Sequence, residues 1–194
     1  MSEKIITLIT DNLARKSKKN YSPGTDDYTI LLYGVTVLYY FTIKTILLLV
    51  LSVALNILPY TLAFMTVYGG LRHFARGLHL QSNAGCTIMG FVTYIAGIYI
   101  SINLNIGLLA AGIIYTACIC VNAIYAPSPT ENSPIRKENR LPLKIKTLAV
   151  MGGLFLTMLV IGDNAYRNII LTATIIETLQ ILPIAYKIFK EKRD

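Results

Sequence analysis

The feature that most constrains this chain is the recurrence of long apolar runs, one after another, from about residue 28 to residue 187. The first, 28–57, is broken only by Lys44, Asn56 and scattered hydroxyls. As a helix it would reach roughly 45 Å at 1.5 Å per residue, more than the ~30 Å of a bilayer's hydrocarbon core. Further runs cover 60–75, 86–103, 106–125, 147–162 and 168–187. Between them lie Pro59, the polar stretch 76–85, Asn103–Asn105, the polar loop 126–146 and the turn Asp163–Asn168. Lipid offers no hydrogen bonds, so a spanning segment must pair its own backbone groups, and these runs read as helices. Apolar residues make up 54% of the chain and charged ones 14%, against roughly a quarter charged in soluble domains. The sequence therefore predicts a single all-α membrane domain over 1–194 with six transmembrane helices. The run 60–75 is short and ends in Arg72, His73 and Arg76, so its length leaves a complete crossing open.

Residues 2–18 place Ile5, Ile6, Leu8, Ile9 and Leu13 on one helical stripe and Lys4, Asp11, Arg15, Lys16 and Lys18 elsewhere. That pattern predicts an amphipathic helix lying on the lipid surface. A secretory signal would show one apolar run and a small-residue cleavage site, which the alternating first 27 residues do not, so no cleavage is expected. Orientation gives an independent check through the cytoplasmic bias of basic residues. With the N-terminus inside and six spans, 16 of the 18 Lys and Arg residues fall in the cytoplasm; Arg167 lies outside and Lys44 within the membrane. Both termini are thus expected in the cytoplasm. The net charge of +8 is spread between the apolar runs rather than gathered in one patch, which argues against a nucleic-acid partner. Cys86, Cys118 and Cys120 lack the spacing of a zinc site or a disulfide framework.

Both histidines and one of the three cysteines fall in 69–86, at an expected cytoplasmic turn. A thiol and an imidazole are the minimum parts of a cysteine nucleophile with its general base. In a continuous helix His79 and Cys86 would share a face but stand roughly 10 Å apart, too far to meet. The helix is therefore expected to break between them, where Ser82, Asn83 and Gly85 are poor helix formers that favour a turn. Considered as packing residues, a cysteine opening a membrane span and a histidine among cations need no chemistry at all. A metal site draws less support, because His73, His79 and Cys86 have no evident fourth ligand or carboxylate partner, and no metal or other cofactor is expected.

Arg72, then Gly77-Leu78-His79, then Cys86 seven residues later resembles the signature of the accessory gene regulator protein B (AgrB) family, membrane cysteine endopeptidases of Gram-positive quorum sensing. Tyr125-Ala126-Pro127-Ser128-Pro129, Pro134-Ile135-Arg136 and Ile175-Ile176-Glu177 followed by Leu182-Pro183-Ile184 extend the likeness over nearly the whole chain. The resemblance implies cleavage of an AgrD-like precursor peptide near its C-terminal side. It further implies an acyl thioester on the cysteine and ring closure to a thiolactone or lactone. By position Cys86 would be the nucleophile and His79 the base, while Arg72 and Gly77 match motif positions without an assigned role. Gln81 and Asn83 are candidates for orienting His79. The family resemblance also implies a Gram-positive cell membrane and is compatible with a homodimer. His73 beside Arg72, and Glu131 and Asn132 where relatives can be strongly basic, depart from the pattern and bear on peptide selectivity.

Lys44 and Glu177 fall near the middle of their spans, where charges are costly and seek partners or cavities. They are expected to pair, joining the first span to the last, or else to line a peptide-binding cavity. In the alternative function, a small membrane peptide exporter, they would be pathway residues and Cys86 a bystander; a membrane scaffold would leave the His79 and Cys86 cluster unexplained. Cys118 and Cys120, and the small residues Gly107, Ala110, Ala111 and Gly112, read as packing positions.

Overall fold

The computed structural model describes residues 2–16, 24–78, 83–130 and 135–189, with Asn83 and Ala84 described by their backbone alone. His79 and Gln81 lie outside the described residues. The described residues form eight helices and no strand: α1 Ser2–Lys16, α2 Asp26–Ala54, α3 Leu58–Ala75, α4 Asn83–Asn103, α5 Leu108–Tyr125, α6 Lys137–Val160, α7 Asn164–Ile181 and α8 Pro183–Ile188. They group into two compact units, Met1–Leu55 and Asn56–Asp194.

In the first unit α1 packs on α2. Tyr28 Oη donates to Asp11 Oδ1 across 2.8 Å, and Ile6 and Thr10 are buried. Ile5, Leu8, Ile9 and Leu13 stay exposed on α1, the apolar stripe read from the sequence. Helix α2 starts where Thr25 Oγ1 accepts from the Tyr28 amide, with Asp26 and Asp27 favourable near the positive end of the helix dipole. It runs for 29 residues and leaves Tyr33, Leu38, Phe41, Leu47 and Val53 exposed.

In the second unit α7 is the central helix, packing on α3, α4, α5 and α6. Phe64, Leu71, Ile98, Tyr115, Met151, Met158 and Leu171 form the core around it. At Gly97 a Cβ would stand 2.6 Å from the Phe64 ring and 3.2 Å from Ile176, so α4 comes as close as it does because that residue is glycine. The distribution of polarity is inverted relative to a soluble protein. Asn168, Thr172, Thr174, Glu177, Thr178 and Gln180 are buried on α7, while Leu109, Ile113, Ile124 and Val160 are exposed. Exposed hydroxyls are closed onto their own helices: Thr42 bonds Leu38 O, Thr66 bonds Leu62 O and Thr157 bonds Gly153 O. Where water is absent such back-bonding satisfies the hydroxyl without a partner outside the helix. Helices α2, α4, α5 and α6 each have the length and apolar composition to cross a bilayer. The chain is a membrane protein.

Several boundaries differ from the sequence reading. Helix α6 begins at Lys137 and includes Pro142, where a polar loop was expected to run to residue 146. Its opening turns are exposed and charged, so no apolar periodicity marks them, and the proline costs one backbone bond near a helix start. Asn83 and Gly85, read as turn residues, lie in the opening turn of α4, where asparagine is favoured and glycine costs little. The run 168–187 is two helices, because Leu182, pushed to an extended conformation (φ −67°, ψ 142°) by Pro183, ends α7.

Candidate functional site

Helix α3 ends at Ala75, and the chain then turns through two left-handed residues, Arg76 (φ 63°) and Gly77 (φ 112°). The break expected between His79 and Cys86 falls at residues 79–82, outside the described residues; the turn at Arg76 and Gly77 comes earlier, just after α3. At Gly77 a side chain is excluded twice, by the positive φ and by a would-be Cβ 3.2 Å from Ile181 Cγ2 and crowded against the Arg72 guanidinium.

This turn is held from three sides. Arg72 Nη1 donates to Arg76 O at 2.9 Å and its Nη2 donates to Leu78 O. The Gly77 amide donates to Ser128 O at 3.0 Å, and the Ser128 amide returns a bond to Ala75 O at 3.0 Å. The Leu78 amide donates to Gln180 O at 3.2 Å. Gln180 O and Ile181 O would normally accept from the following helical turn; the break at Leu182 leaves them free for this role. Ser128 Oγ donates to Ile181 O at 3.2 Å and Tyr186 Oη to Ser128 O at 3.1 Å, which fixes the 125–130 segment in the same place.

Behind the turn lies a buried charge. Glu177 is 1% exposed, and its Oε2 lies 3.6 Å from Arg72 Nη1, an ion pair without a hydrogen bond to either carboxylate oxygen. Glu177 thus has Arg72 as a cationic neighbour, because α3 lies along α7 and carries Arg72 in its last turn. Lys44 belongs to the first unit. Tyr68 Oη donates to Gln180 Oε1 at 2.8 Å, and Tyr68 packs edge-on against Tyr94 of α4.

Cys86, half-buried and outside any disulfide, lies in the opening turn of α4. One turn further on, Met89 lines an apolar cavity of about 310 Å³ together with Leu78, Thr93, Gly97, Ile176 and Gln180. The cavity therefore links the end of the held turn to the helix that carries Cys86. Cys118 is buried, Cys120 is exposed, and both are on α5. His73 is exposed on α3, edge-on to Phe74. Among the described residues no cluster of His, Cys, Asp and Glu could hold a metal.

The profile of the family described as Accessory gene regulator B matches residues 2–181. The chain belongs to the AgrB family. An AgrB-like protein of Clostridium acetobutylicum is 30% identical over 160 residues, 80% of this chain and 75% of that protein. One from Listeria welshimeri is 25% identical over 181 residues, covering 91% and 87%. The Accessory gene regulator protein B of Staphylococcus aureus strain JH9 is 29% identical over 140 residues, covering 70% and 72%. No solved structure matches. Membership in the AgrB family implies a role in processing the peptide precursor of accessory gene regulator quorum sensing.

Sequence reasoning singled out Arg72, Gly77 and Glu177 but missed Ser128, Gln180, Tyr68 and Tyr186. Ser128 acts chiefly through its backbone, which no residue type announces. Gln180 did carry a signal, an amide inside an apolar run.

Proposed function

We propose that this AgrB-family protein is a membrane cysteine endopeptidase that cleaves an AgrD-like precursor at its C-terminal side and closes the product into a thiolactone or lactone. The observation that carries the reading is the Cys86 thiol, outside any disulfide, at the N-terminal end of α4, together with the turn at 76–78 that Arg72, Ser128 and Gln180 hold in a defined shape just before His79 in the sequence. His79 takes the proton from Cys86 Sγ, and the thiolate attacks the scissile carbonyl carbon. The peptide nitrogen leaves with the proton from the imidazole, and the acyl group stays on sulfur. An internal Cys or Ser of the peptide then attacks the thioester, passes its proton to His79 and releases Cys86 as the ring closes. The energy of the peptide acyl group is retained in the thioester, so no nucleotide is consumed. The apolar cavity beside Leu78 and Met89 favours this outcome by keeping water from the thioester.

The proposed topology adds α3 and α7 to the four apolar helices, giving six spans with both termini cytoplasmic and α1 on the lipid surface. At 18 residues each, α3 and α7 reach roughly 27 Å, close to the hydrocarbon thickness. Arg167, the one basic residue this topology puts outside, donates to Ile106 O at 3.1 Å and Asn164 Oδ1 at 2.6 Å, which ties down the start of α7. The exporter reading gains nothing from Glu177, whose carboxylate is closed off from any pathway and faces Arg72.

The test is incubation of the purified protein in lipid with its candidate precursor, followed by mass spectrometry. Cys86→Ala is expected to reach the membrane at normal abundance and to lose cleavage altogether, whereas Cys118→Ala and Cys120→Ala keep it. With the precursor's internal Cys or Ser replaced by Ala, a hydroxylamine-labile adduct should accumulate on Cys86. Cleavage by Cys86→Ala would remove the enzyme reading; lost cleavage without a trappable adduct would leave a protease and refute the cyclisation.

A further inference from the structure

The apolar cavity of about 310 Å³ is shaped for more than keeping water out. From α4 it is lined by Met89, Thr93, Gly97 and Ile100, positions that recur every three to four residues and so share one helical face. Cys86 heads that same face, one turn before Met89 and about 4.5 Å from it along the helix axis. Among the described residues no charged side chain lines the cavity. Its most enclosed polar side chain is Gln180 of α7, 7% exposed. Tyr68 Oη donates to Gln180 Oε1 at 2.8 Å, and Gln180 Nε2 has no hydrogen-bond partner among the described residues. A buried amide N–H without an acceptor costs free energy, which a lipid acyl chain in the cavity would not relieve and a peptide carbonyl would. Ligand pockets share this make-up, a mostly apolar hollow of roughly 300–1,000 Å³ with a few placed polar groups. Ala96 on α4 and Ala185 on α8 also line the cavity, and a larger side chain at either would take up its space.

We infer that this cavity is a peptide subsite: it takes the apolar side chain of the precursor residue whose carbonyl Cys86 attacks, and Gln180 Nε2 donates to a backbone carbonyl of the same segment. The inference rests on Cys86 being the nucleophile. The acyl half of the precursor is the half that fits, because it stays on sulfur from cleavage to ring closure while the other half departs. A side chain seated along α4 below Cys86 holds the thioester in place for both steps. A charged side chain would be stripped of water there without a partner, so the subsite selects a neutral apolar residue, and the space beside Ala96 sets its size.

The experiment gives the purified protein in lipid three forms of the candidate precursor, with Leu, Ala or Asp as the residue before the scissile bond, and measures kcat/KM for each. The parent is expected to favour Leu over Ala by roughly tenfold or more and to cleave the Asp form most slowly. Ala96→Leu, which fills part of the cavity, should lower the Leu-to-Ala ratio by roughly fivefold or more. Ile88→Ala, on the exposed side of α4 and outside the cavity, should keep the parent ratio. A ratio within one variant does not depend on how much of that variant folds, so partial misfolding cannot imitate the shift. A parent without preference, an Asp form cleaved as fast as the Leu form, or an Ile88→Ala shift as large as that of Ala96→Leu would each overturn the subsite. So would an Ala96→Leu protein that is slower on every form at an unchanged ratio, the result expected if an acyl chain fills the cavity. Ratios that fail to move while cleavage still requires Cys86 defeat this inference alone, whereas cleavage by Cys86→Ala defeats the enzyme reading and the subsite with it.

Discussion

Helices α2 and α7 come from the same chain and obey opposite rules. Helix α2 spends 29 residues on an almost wholly apolar sequence and buries only Val35, Leu48 and Ser52. Helix α7 is 18 residues long and buries Asn168 through Thr174 without interruption, then Glu177, Thr178, Gln180 and Ile181. Both were apolar runs in the sequence, yet α2 has the hydropathy of a lipid-facing span and α7 falls short of it, because hydropathy measures fitness for lipid and α7 buries most of its length in protein. In a membrane the apolar effect gives helices no reason to prefer each other over acyl chains, so packing and internal hydrogen bonds determine which helix is central. Polar residues on α7 mark it as such. Asn168 Nδ2 donates to Ser101 O at 3.2 Å and Leu104 O at 2.6 Å, and Asn122 Nδ2 donates to Thr178 Oγ1 at 2.9 Å.

The contrast breaks most decisively at the charge pair. Arg72→Met alone strands the Glu177 carboxylate and is expected to cost about 3–5 kcal/mol, whereas Arg72→Met with Glu177→Leu should regain most of it. Unfolding of both variants in micelles decides the matter, and a double variant no more stable than the single one would mean that α7 does not carry its charge through Arg72. On α2 the expected penalty is one of insertion. Leu38→Lys places a charge near the middle of the helix on an exposed face and should disfavour membrane insertion by about 2.5–3.5 kcal/mol. An insertion reporter that registers no change would show that this face does not meet lipid. The smallest effect sharpens the comparison from the other end. Thr42→Val removes a hydroxyl that bonds only its own helix, at Leu38 O, and stability should change by less than about 0.5 kcal/mol.

Much of the helical architecture was legible because lipid-facing helices announce themselves by composition, and Pro59 and the Asp163 cap announce their ends. Asp163 Oδ1 accepts from the Ala165 and Tyr166 amides at 2.7 and 3.3 Å. The start of α6 was not legible, since its charged opening turns look like loop. At the candidate site, Cys86 stood out by its chemical type, but the break directly after α3 did not follow from the sequence, since the reach of one helix called only for a break further on, between His79 and Cys86. The Arg72 neighbour of Glu177 did not follow from residue type, because it depends on the packing of α3 along α7. The hold on the turn at 76–78 was illegible for a different reason, because backbone atoms carry much of it.

That hold has a consequence for how such a sequence can drift over generations. The carbonyls of Gln180 and Ile181 receive the Leu78 amide and the Ser128 hydroxyl because the chain leaves helical geometry at Leu182, and it does so because residue 183 is proline. Any residue at 180 and 181 would present the same two carbonyl oxygens. Selection acting on these two carbonyls alone would therefore guard one imino acid; whatever holds Gln180 and Ile181 to their identities must come from their side chains, the Gln180 amide that accepts from Tyr68 and the Ile181 side chain buried beside Gly77.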